Sequence, residues 1–320
     1  MFRLHLPYQT GRIGRRGYTM GLFFSKKRSD GTLVRDGDPM QHIMPYIMPG
    51  RNESAIYYKK SIDVEQVQAY IREQRRQGRR ITLFNVVVTA ILHTLYQRPH
   101  LNRFVAGRRL YQHNGYDVSY IVKKSMTDEG NESIASVELD KDDNIFTVTD
   151  RMKKHIDQIK IEDVKKGDDY LISTFSKLPR WLVRFTVTIV RWLDFHGIMP
   201  KKLQDAIPLY SSVFFSHLGS LGSDAPFHHL YEFGTTSIFI TIGRIYDSPH
   251  KNRHGEIEWK KSVDLMCTID ERICDGYYLI KSMKILEKYL NDPRLLEQSP
   301  ADHESKAEPA AAPVGHVLDA

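Results

Sequence analysis

Residues 268–276 read TIDERICDG and join a strand pattern to a helix pattern. Over residues 263–270 apolar and polar side chains alternate, as in a strand with one buried face. Asp275 is then placed to cap a helix with a single apolar stripe. The stripe has spacings of 4, 3 and 4 and consists of Leu279, Met283, Leu286 and Leu290. The sequence therefore predicts a strand, a tight turn and an amphipathic helix that packs against a sheet.

The same turn concentrates charge. Asp270, Glu271, Arg272 and Asp275 fall within six residues, and Glu271 and Asp275 are four positions apart. Two carboxylates held together can raise each other's pKa and transfer protons. In the alternative interpretation, Asp275 only caps the helix and Glu271 pairs with Arg272 or another basic residue. Both interpretations stay open here, and no further ligand spacing supports a metal site.

Strand and helix patterns alternate along most of the chain. Further strands are predicted at residues 116–122, 133–139, 211–217 and 235–243. Further helices are predicted at residues 64–77, 83–97 and 147–160. The helix at residues 83–97 is apolar nearly all round, which is typical of a buried helix. The order of these elements predicts an α/β fold with helices packed on a sheet.

The two ends of the chain lack this patterning. Residues 1–55 are rich in Gly, Arg, Pro and Met and are predicted to form an irregular N-terminal arm with short strands. Residues 56–296 hold the patterned segments and are predicted to form the main domain. The Ala/Pro/Glu-rich residues 297–320 are predicted to form a disordered tail.

Residues 181–193 form an unusual amphipathic pattern. Arg180, Arg184 and Arg191 fall on one narrow stripe of a helix, together with Thr188. The rest of its surface carries Trp181, Phe185, Ile189 and Trp192. A wide apolar face of this kind suits a core, a subunit interface, the wall of an apolar pocket or a membrane surface. Packing in the core or in an interface is the favoured interpretation, and contact with a membrane surface is not.

The composition excludes several classes of protein. The 320 residues include 46 Lys+Arg and 39 Asp+Glu, a net charge of +7, and 41% are hydrophobic, as in globular proteins. No secretory signal and no apolar run of about 18 residues is present. The two cysteines, Cys267 and Cys274, are predicted to be packing residues, and they indicate a cytoplasmic protein. The basic residues are scattered without a nucleic-acid-binding motif, so they fit attraction of a phosphate-bearing small molecule better.

Several segments match a known pattern in order and spacing. The helix after DERICDG ends in NDPRLL at residues 291–296, and FSHLG occupies residues 215–219. A strand closes on GRI at residues 243–245, and RPHLN follows the apolar helix at residues 98–102. This series resembles the chloramphenicol acetyltransferases and the related acyltransferase catalytic domain of 2-oxo acid dehydrogenase complexes. The resemblance covers residues 56–296, with no lipoyl-type or subunit-binding domain before them, so a stand-alone member is expected.

The resemblance implies a chloramphenicol-acetyltransferase-like mixed sheet with packed helices, assembled as a homotrimer with its active site between subunits. It implies a coenzyme A thioester as co-substrate, a small-molecule acceptor and no metal. Ser216 matches the family serine whose hydroxyl stabilises the oxyanion, and Asp275 matches the aspartate that holds the local structure. Glu271 falls where the family has the histidine that takes a proton from the attacking thiol.

Glu271 is the one departure from the family pattern at a catalytic position. Reference pKa values of about 4.3 for Glu and 8.5 for a thiol make that proton transfer unfavourable by roughly 5.7 kcal/mol. Three hypotheses follow. Glu271 is the base for an amine or alcohol acceptor, or the protein is an inactive binding or scaffold protein for acyl-CoA or lipoyl-like ligands. In the third, another histidine serves as the base, with His217, His228 and His229 as candidates.

Overall fold

The strand that precedes the charged turn lies inside a six-stranded sheet. The computed structural model describes residues 28–36, 38–123, 132–162 and 177–302. The strands in these residues are β1 (Gly31–Leu33), β2 (Ala55–Asp63), β3 (Arg103–Ala106), β4 (Arg109–His113), β5 (Tyr116–Lys123), β6 (Glu132–Leu139), β7 (Val213–His217), β8 (Ile238–Lys251) and β9 (Ile257–Asp270). The central sheet has the order β2-β9-β8-β7-β5-β6, and β1, β4 and β3 form a small second sheet. Because β7 pairs in parallel with β5 and β8 while the other pairs are antiparallel, the sheet is mixed, as predicted.

Helices cover one face of this sheet. The α-helices in the described residues are α1 (Pro39–Ile47), α2 (Glu65–Arg76), α3 (Leu83–Gln97), α4 (Ile145–Glu162), α5 (Arg180–His196), α6 (Lys201–Asp205) and α7 (Gly276–Asn291). Short 3-10 turns occupy Pro99–Asn102, Leu218–Leu221, Glu271–Ile273 and Pro293–Glu297. Apolar residues of α2, α3, α4 and α7 form one continuous core with the sheet. Burial of this apolar area is the main stabilisation of the fold.

Strand alternation decides which side chains reach that core. In β9, Leu265, Cys267 and Ile269 point toward the helices, and all three are buried. The opposite face carries a smaller cluster of Phe214, Phe239 and Leu230. The sheet therefore separates a thick helix-covered layer from a second face covered by loop residues.

The predicted burial of α3 is confirmed. Every residue from Asn85 to Leu95 is buried. The helix begins at Thr82, whose hydroxyl accepts a hydrogen bond from the Asn85 backbone N–H while the Asn85 side chain accepts one from the Thr82 backbone. This reciprocal cap satisfies N–H groups that would otherwise be left without partners at a buried helix end.

Several elements were not predicted from the sequence, and β2 and α1 are the longest of them. The strand β2 pairs with β9 along its whole length, from Ala55 opposite Asp270 to Asp63 opposite Ser262. The helix α1 lies within the predicted irregular arm, and the Asp38 carboxylate caps it by accepting a hydrogen bond from the Met40 N–H. Residues 297–302 of the tail predicted at residues 297–320 are folded rather than disordered, since Glu297 ends a 3-10 turn and Ser299 is buried. Residues 1–27 of the arm and residues 303–320 of the tail lie outside the described residues, and the proposed domain limits stay predictions.

The helix α5 differs from the preferred expectation. Of the two favoured alternatives, packing in the core of the chain is wrong, because none of its residues is buried, and packing in a subunit interface stays a prediction. Trp181 is 70% exposed, Phe185 58% and Trp192 54%. Gly197 ends the helix in the left-handed conformation (φ 70°), which glycine adopts without strain. The helix is exposed because it lies away from the helix-covered face of the sheet, where the core residues are buried.

Candidate active site

The turn after β9 is built around a buried ion pair. The Arg272 Nε and Nη2 donate to the two carboxylate oxygens of Asp270 at 2.8 and 2.7 Å, and both side chains are almost fully buried. Arg272 Nη1 also donates to the carbonyl oxygens of Met48 and Pro49 at 2.8 and 3.0 Å. A bidentate pair with its remaining donors satisfied is strong and geometrically specific. It ties the turn to the segment that follows α1.

Glu271 lies between the two members of this pair and points elsewhere. Its backbone N–H donates to the Ser54 carbonyl oxygen at 2.9 Å, which fixes the main chain of the turn. The side chain is half-buried, and it makes no hydrogen bond or ion pair with the described residues. The alternative in which Glu271 pairs with Arg272 is therefore wrong, because Arg272 is already committed to Asp270. The Glu271 carboxylate is left available to a ligand.

Asp275 has the role of a helix cap. Its carboxylate accepts a hydrogen bond from the Tyr278 backbone N–H at 2.8 Å, at the first turn of α7. The side chain is exposed. This contact satisfies one of the free N–H groups at the start of α7, as a helix cap does.

Three residues beside the turn were not singled out from the sequence. The Tyr278 ring stacks on the His100 ring, with centroids 4.4 Å apart and planes within 10°. The Arg98 guanidinium lies 3.6 Å from the Tyr278 ring centroid, a cation–π contact. Burial, and then the nearby Arg103 and Arg98, lower the pKa of His100, which keeps its imidazole neutral near pH 7. The RPHLN segment was the available signal, but its spacing alone does not bring His100 to this turn.

Ser216 lies on the other face of the central sheet from the helices. It is on β7 opposite Thr241 of β8, it is 8% exposed, and its hydroxyl makes no hydrogen bond with the described residues. The segment after it packs tightly, since a Cβ at Gly219 would clash with the Gly243 carbonyl oxygen. A Cβ at Gly243 would lie 2.9 Å from the Ala225 nitrogen. Two segments noted in the sequence, FSHLG and GRI, are thus in direct contact and need glycine where they meet.

Within one chain the structure does not bring Ser216 and Glu271 together. Ser216 pairs with Thr241, and Thr241 pairs with Met266, four residues before Asp270 on β9. Four residues along a strand and two strand spacings across the sheet place Ser216 roughly 16 Å from Asp270. The two residues therefore belong to separate regions of one subunit.

The three histidines considered as substitute bases are engaged in packing. The His217 ring stacks on Phe84, with centroids 5.6 Å apart, and burial lowers its pKa. The His228 ring stacks on Phe239 at 4.0 Å. His228 and His229 each place Nδ1 within hydrogen-bond distance of a neighbouring carbonyl oxygen, at 2.7 and 3.0 Å. These contacts give the three rings structural roles.

The structure also shows the surroundings of the two cysteines and of the residue types that could bind a metal. Burial raises the pKa of both Cys267 and Cys274 to about 12, so each is a protonated packing residue, as predicted. In the part of the chain that the structure describes, no group of three or more His, Cys, Asp or Glu side chains is placed to hold a metal ion. In the same residues, no helix is both long and apolar enough to cross a membrane.

Comparison with solved structures identifies the fold. A probable dihydrolipoamide acetyltransferase from Listeria monocytogenes matches with a TM-score of 0.50 and 15% identity, over 80% of this chain and 94% of that chain. The dihydrolipoamide acetyltransferase of Azotobacter vinelandii matches with a TM-score of 0.53 and 14% identity, over 82% and 94%. A chloramphenicol acetyltransferase gives a TM-score of 0.49 at 11% identity, over 81% and 99%. No protein-family model and no curated protein sequence matches the chain.

The similarity is one of three-dimensional structure. Sequence identities of 14–15% are far below the level at which an activity can be transferred from one protein to another. The mixed sheet, the helices packed on it and the strand–turn–helix unit around Glu271 agree with the fold expected from the sequence. The chain therefore has the chloramphenicol-acetyltransferase-like acyltransferase fold that the dihydrolipoamide acetyltransferase catalytic domains share.

Proposed function

We propose that this protein is an acyltransferase that moves an acyl group from a coenzyme A thioester to an amine or alcohol. The observation that carries the proposal is the Glu271 carboxylate, which has no partner among the described residues and stands between Asp270 and Arg272, already paired with each other. In the similar Azotobacter enzyme, a serine, a histidine and an asparagine four residues after the histidine were studied for their roles in the catalytic mechanism. Glu271 and Asp275 have that same spacing of four, with Ser216 upstream.

The identity of the base determines the acceptor. A carboxylate of ordinary basicity deprotonates a thiol only at a cost of roughly 5.7 kcal/mol. An amine that adds to a carbonyl becomes strongly acidic as the new bond forms, so a carboxylate can accept its proton during the attack. An alcohol gains acidity in the same way. Glu271 therefore suits an oxygen or nitrogen nucleophile better than a dihydrolipoyl thiol.

With an amine acceptor, the proposed reaction moves the acyl group from the thioester sulfur to nitrogen. The nitrogen attacks the thioester carbonyl carbon, and the carbonyl electron pair moves to oxygen, where the Ser216 hydroxyl donates a hydrogen bond to it. Glu271 takes the proton from nitrogen. The carbonyl then re-forms, the carbon–sulfur bond breaks, and the coenzyme A thiolate receives the proton from Glu271. The products are an amide and free coenzyme A.

This step needs a second subunit, which the expected homotrimer would supply. Since Ser216 and Asp270 are roughly 16 Å apart in one chain, a serine from a neighbouring subunit would have to face the Glu271 turn. Asp275 holds that turn by capping α7. The net charge of +7 would favour the approach of a phosphate-rich acyl donor.

The test is the loss of acetyl-CoA and the release of free coenzyme A, followed by liquid chromatography with amine, alcohol and thiol acceptors. Wild type is expected to use an amine or alcohol. Glu271→Gln should lower turnover by about 100-fold or more, as for loss of a general base. Glu65→Gln, at an exposed glutamate that begins α2, is the matched control and should leave turnover unchanged.

A second candidate, an inactive binding or scaffold protein, is favoured by the same glutamate. It predicts acyl-CoA binding by calorimetry, no turnover by wild type, and thiol-dependent turnover by Glu271→His. Unchanged turnover in Glu271→Gln would remove Glu271 from the mechanism. Failure to bind any acyl-CoA or pantetheine compound would contradict both candidates.

A further inference from the structure

The helix α5 presents two exposed stripes side by side. At 100° per residue, Arg180, Arg184 and Arg191 fall within about 40° of one another on the helix circumference. Trp181, Phe185 and Trp192 also fall within about 40°, and their centre lies about 100° from that of the arginines. All six side chains are exposed. Most of the half-buried residues of α5 occupy the remaining side, toward the rest of the protein: Leu182, Val183, Thr186, Val190, Leu193 and Asp194.

Among the described residues, no acidic side chain pairs with the arginine stripe. Arg180, Arg184 and Arg191 form no ion pair or side-chain hydrogen bond with the described residues. The one acidic residue of α5 is Asp194, and its carboxylate pairs with the buried Arg28 at 2.7 Å. The exposed side of the helix therefore carries three positive charges beside the aromatic side chains of two tryptophans and one phenylalanine.

The helix is fixed to the protein near its C-terminal end. The Arg28 Nη1 also donates to the Asp194 carbonyl oxygen at 2.7 Å. Gly107, in the turn between β3 and β4, packs against the Phe195 carbonyl so closely that a Cβ there would clash. These contacts hold the last turn of α5 and leave both stripes facing outward.

We propose that α5 docks the protein on an anionic phospholipid membrane surface. Tryptophan and phenylalanine side chains suit the boundary between headgroups and acyl chains, and an adjoining row of arginines reaches the lipid phosphates. A row of arginines beside a row of tryptophan and phenylalanine side chains is the pattern of a helix that lies on an anionic membrane, where the lipid phosphates and the acyl chains meet both rows at once. The positive charge of the stripe thus favours an anionic lipid surface as its partner. This proposal does not depend on the acyltransferase reaction.

The three tryptophans of the chain make a direct test possible. Trp181 and Trp192 lie on α5, and Trp259 lies on β9, where it is also exposed. In a Trp259→Phe variant the fluorescence reports α5 alone. Addition of phosphatidylcholine vesicles that contain phosphatidylserine should shift its emission to shorter wavelength, and brominated lipid should quench it. In a Trp181→Phe/Trp192→Phe variant, the Trp259 emission should not respond.

The charge stripe is tested by co-sedimentation with the same vesicles. The triple variant Arg180→Gln/Arg184→Gln/Arg191→Gln should bind about 100-fold more weakly at low salt. The control Arg75→Gln/Arg76→Gln/Arg80→Gln removes three exposed arginines around the end of α2 and should change binding much less. Circular dichroism and light scattering check that each variant keeps its fold and oligomeric state.

Three results would overturn the proposal. The first is no vesicle binding by wild type at low salt. The second is an α5 fluorescence that already resists aqueous quenchers without lipid in a monomer, which would mean that another segment of the chain covers the helix. The third is a shift that depends on protein concentration alone and accompanies assembly, which would make the face an interface between copies.

Discussion

Asp270 and Glu271 are adjacent acidic residues at the end of β9 with opposite environments. Asp270 is fully buried, and both of its carboxylate oxygens accept hydrogen bonds from Arg272. Glu271 is half-buried and has no partner in the described residues. The two neighbouring carboxylates of the charged turn therefore have different roles. The buried pair fixes the backbone, and the residue between its members is free to meet a ligand.

The largest effect is expected from breaking the buried pair. Arg272→Met should lower the free energy of unfolding by about 3–5 kcal/mol, because it leaves the Asp270 carboxylate buried without a cation. Urea denaturation measures the change. The double variant Asp270→Asn/Arg272→Met should recover part of the loss. Glu271→Gln is the control at the neighbouring position and should change stability by less than about 0.5 kcal/mol. Equal losses in Arg272→Met and Glu271→Gln would contradict the division of roles.

Asp117 is a half-buried carboxyl group with no ion pair among the described residues, and it should behave in the opposite way. Asp117 lines a polar cavity of about 300 Å³. Burial, with Glu138 and Asp205 nearby, raises its pKa to about 6 despite Lys201. Because its pKa is higher in the folded state than in the unfolded state, the protonated carboxyl group favours folding. As the pH rises from about 4 to 6 the group loses its proton and destabilises the folded protein increasingly, and above that range the destabilisation is complete.

The measurement is urea denaturation of wild type and Asp117→Asn across this pH range. At about pH 8 the variant should be more stable than wild type by about 2–3 kcal/mol, and the difference should vanish near pH 4. A difference that does not change with pH would show that Asp117 titrates normally. Glu65→Gln, at an exposed site, should show no such pH dependence.

The smallest effect is expected at the helix cap. Asp275→Ala should lower stability by about 1 kcal/mol, because the Tyr278 N–H loses its acceptor, and Asp275→Asn should cost much less. If Asp275 also positions Glu271, turnover should fall in the alanine variant and recover in the asparagine variant. A turnover loss in both variants would instead point to a direct chemical role for the carboxylate.

Much of the fold was predictable because it depends on local patterns. The strands β5, β6, β7, β8 and β9 were found from alternation, and α3 and α7 were found from caps and apolar spacing. The strand β2 was missed because Lys59 and Lys60 interrupt its apolar pattern. In the structure Lys59 pairs with Asp264 and Lys60 with Glu287, both at 2.8 Å. The helix α1 was missed because Pro39 and Pro45 suggest irregular structure, although proline at the first turn suits a helix.

The candidate site was predictable only in part. Glu271, Asp275 and Ser216 came from the sequence and its family resemblance, but the partner of Arg272 did not. An arginine two residues from one aspartate and three from another can pair with either, and only the packing around Met48 and Pro49 selects Asp270. The stacking of His100 on Tyr278 joins residues 178 positions apart, which no local pattern encodes.

The amino-acid sequence was enough to predict most strands of the central sheet, the helices α3 and α7, and the concentration of charge in the turn after β9. These properties follow from side-chain periodicity and capping within a few residues. Only the tertiary structure decided which apolar helix is buried and which carboxylate is free. The helices α3 and α5 are both rich in apolar residues, yet one lies under the sheet and the other faces outward. Burial depends on what the rest of the chain places around a segment, and the segment's own residues do not contain that information.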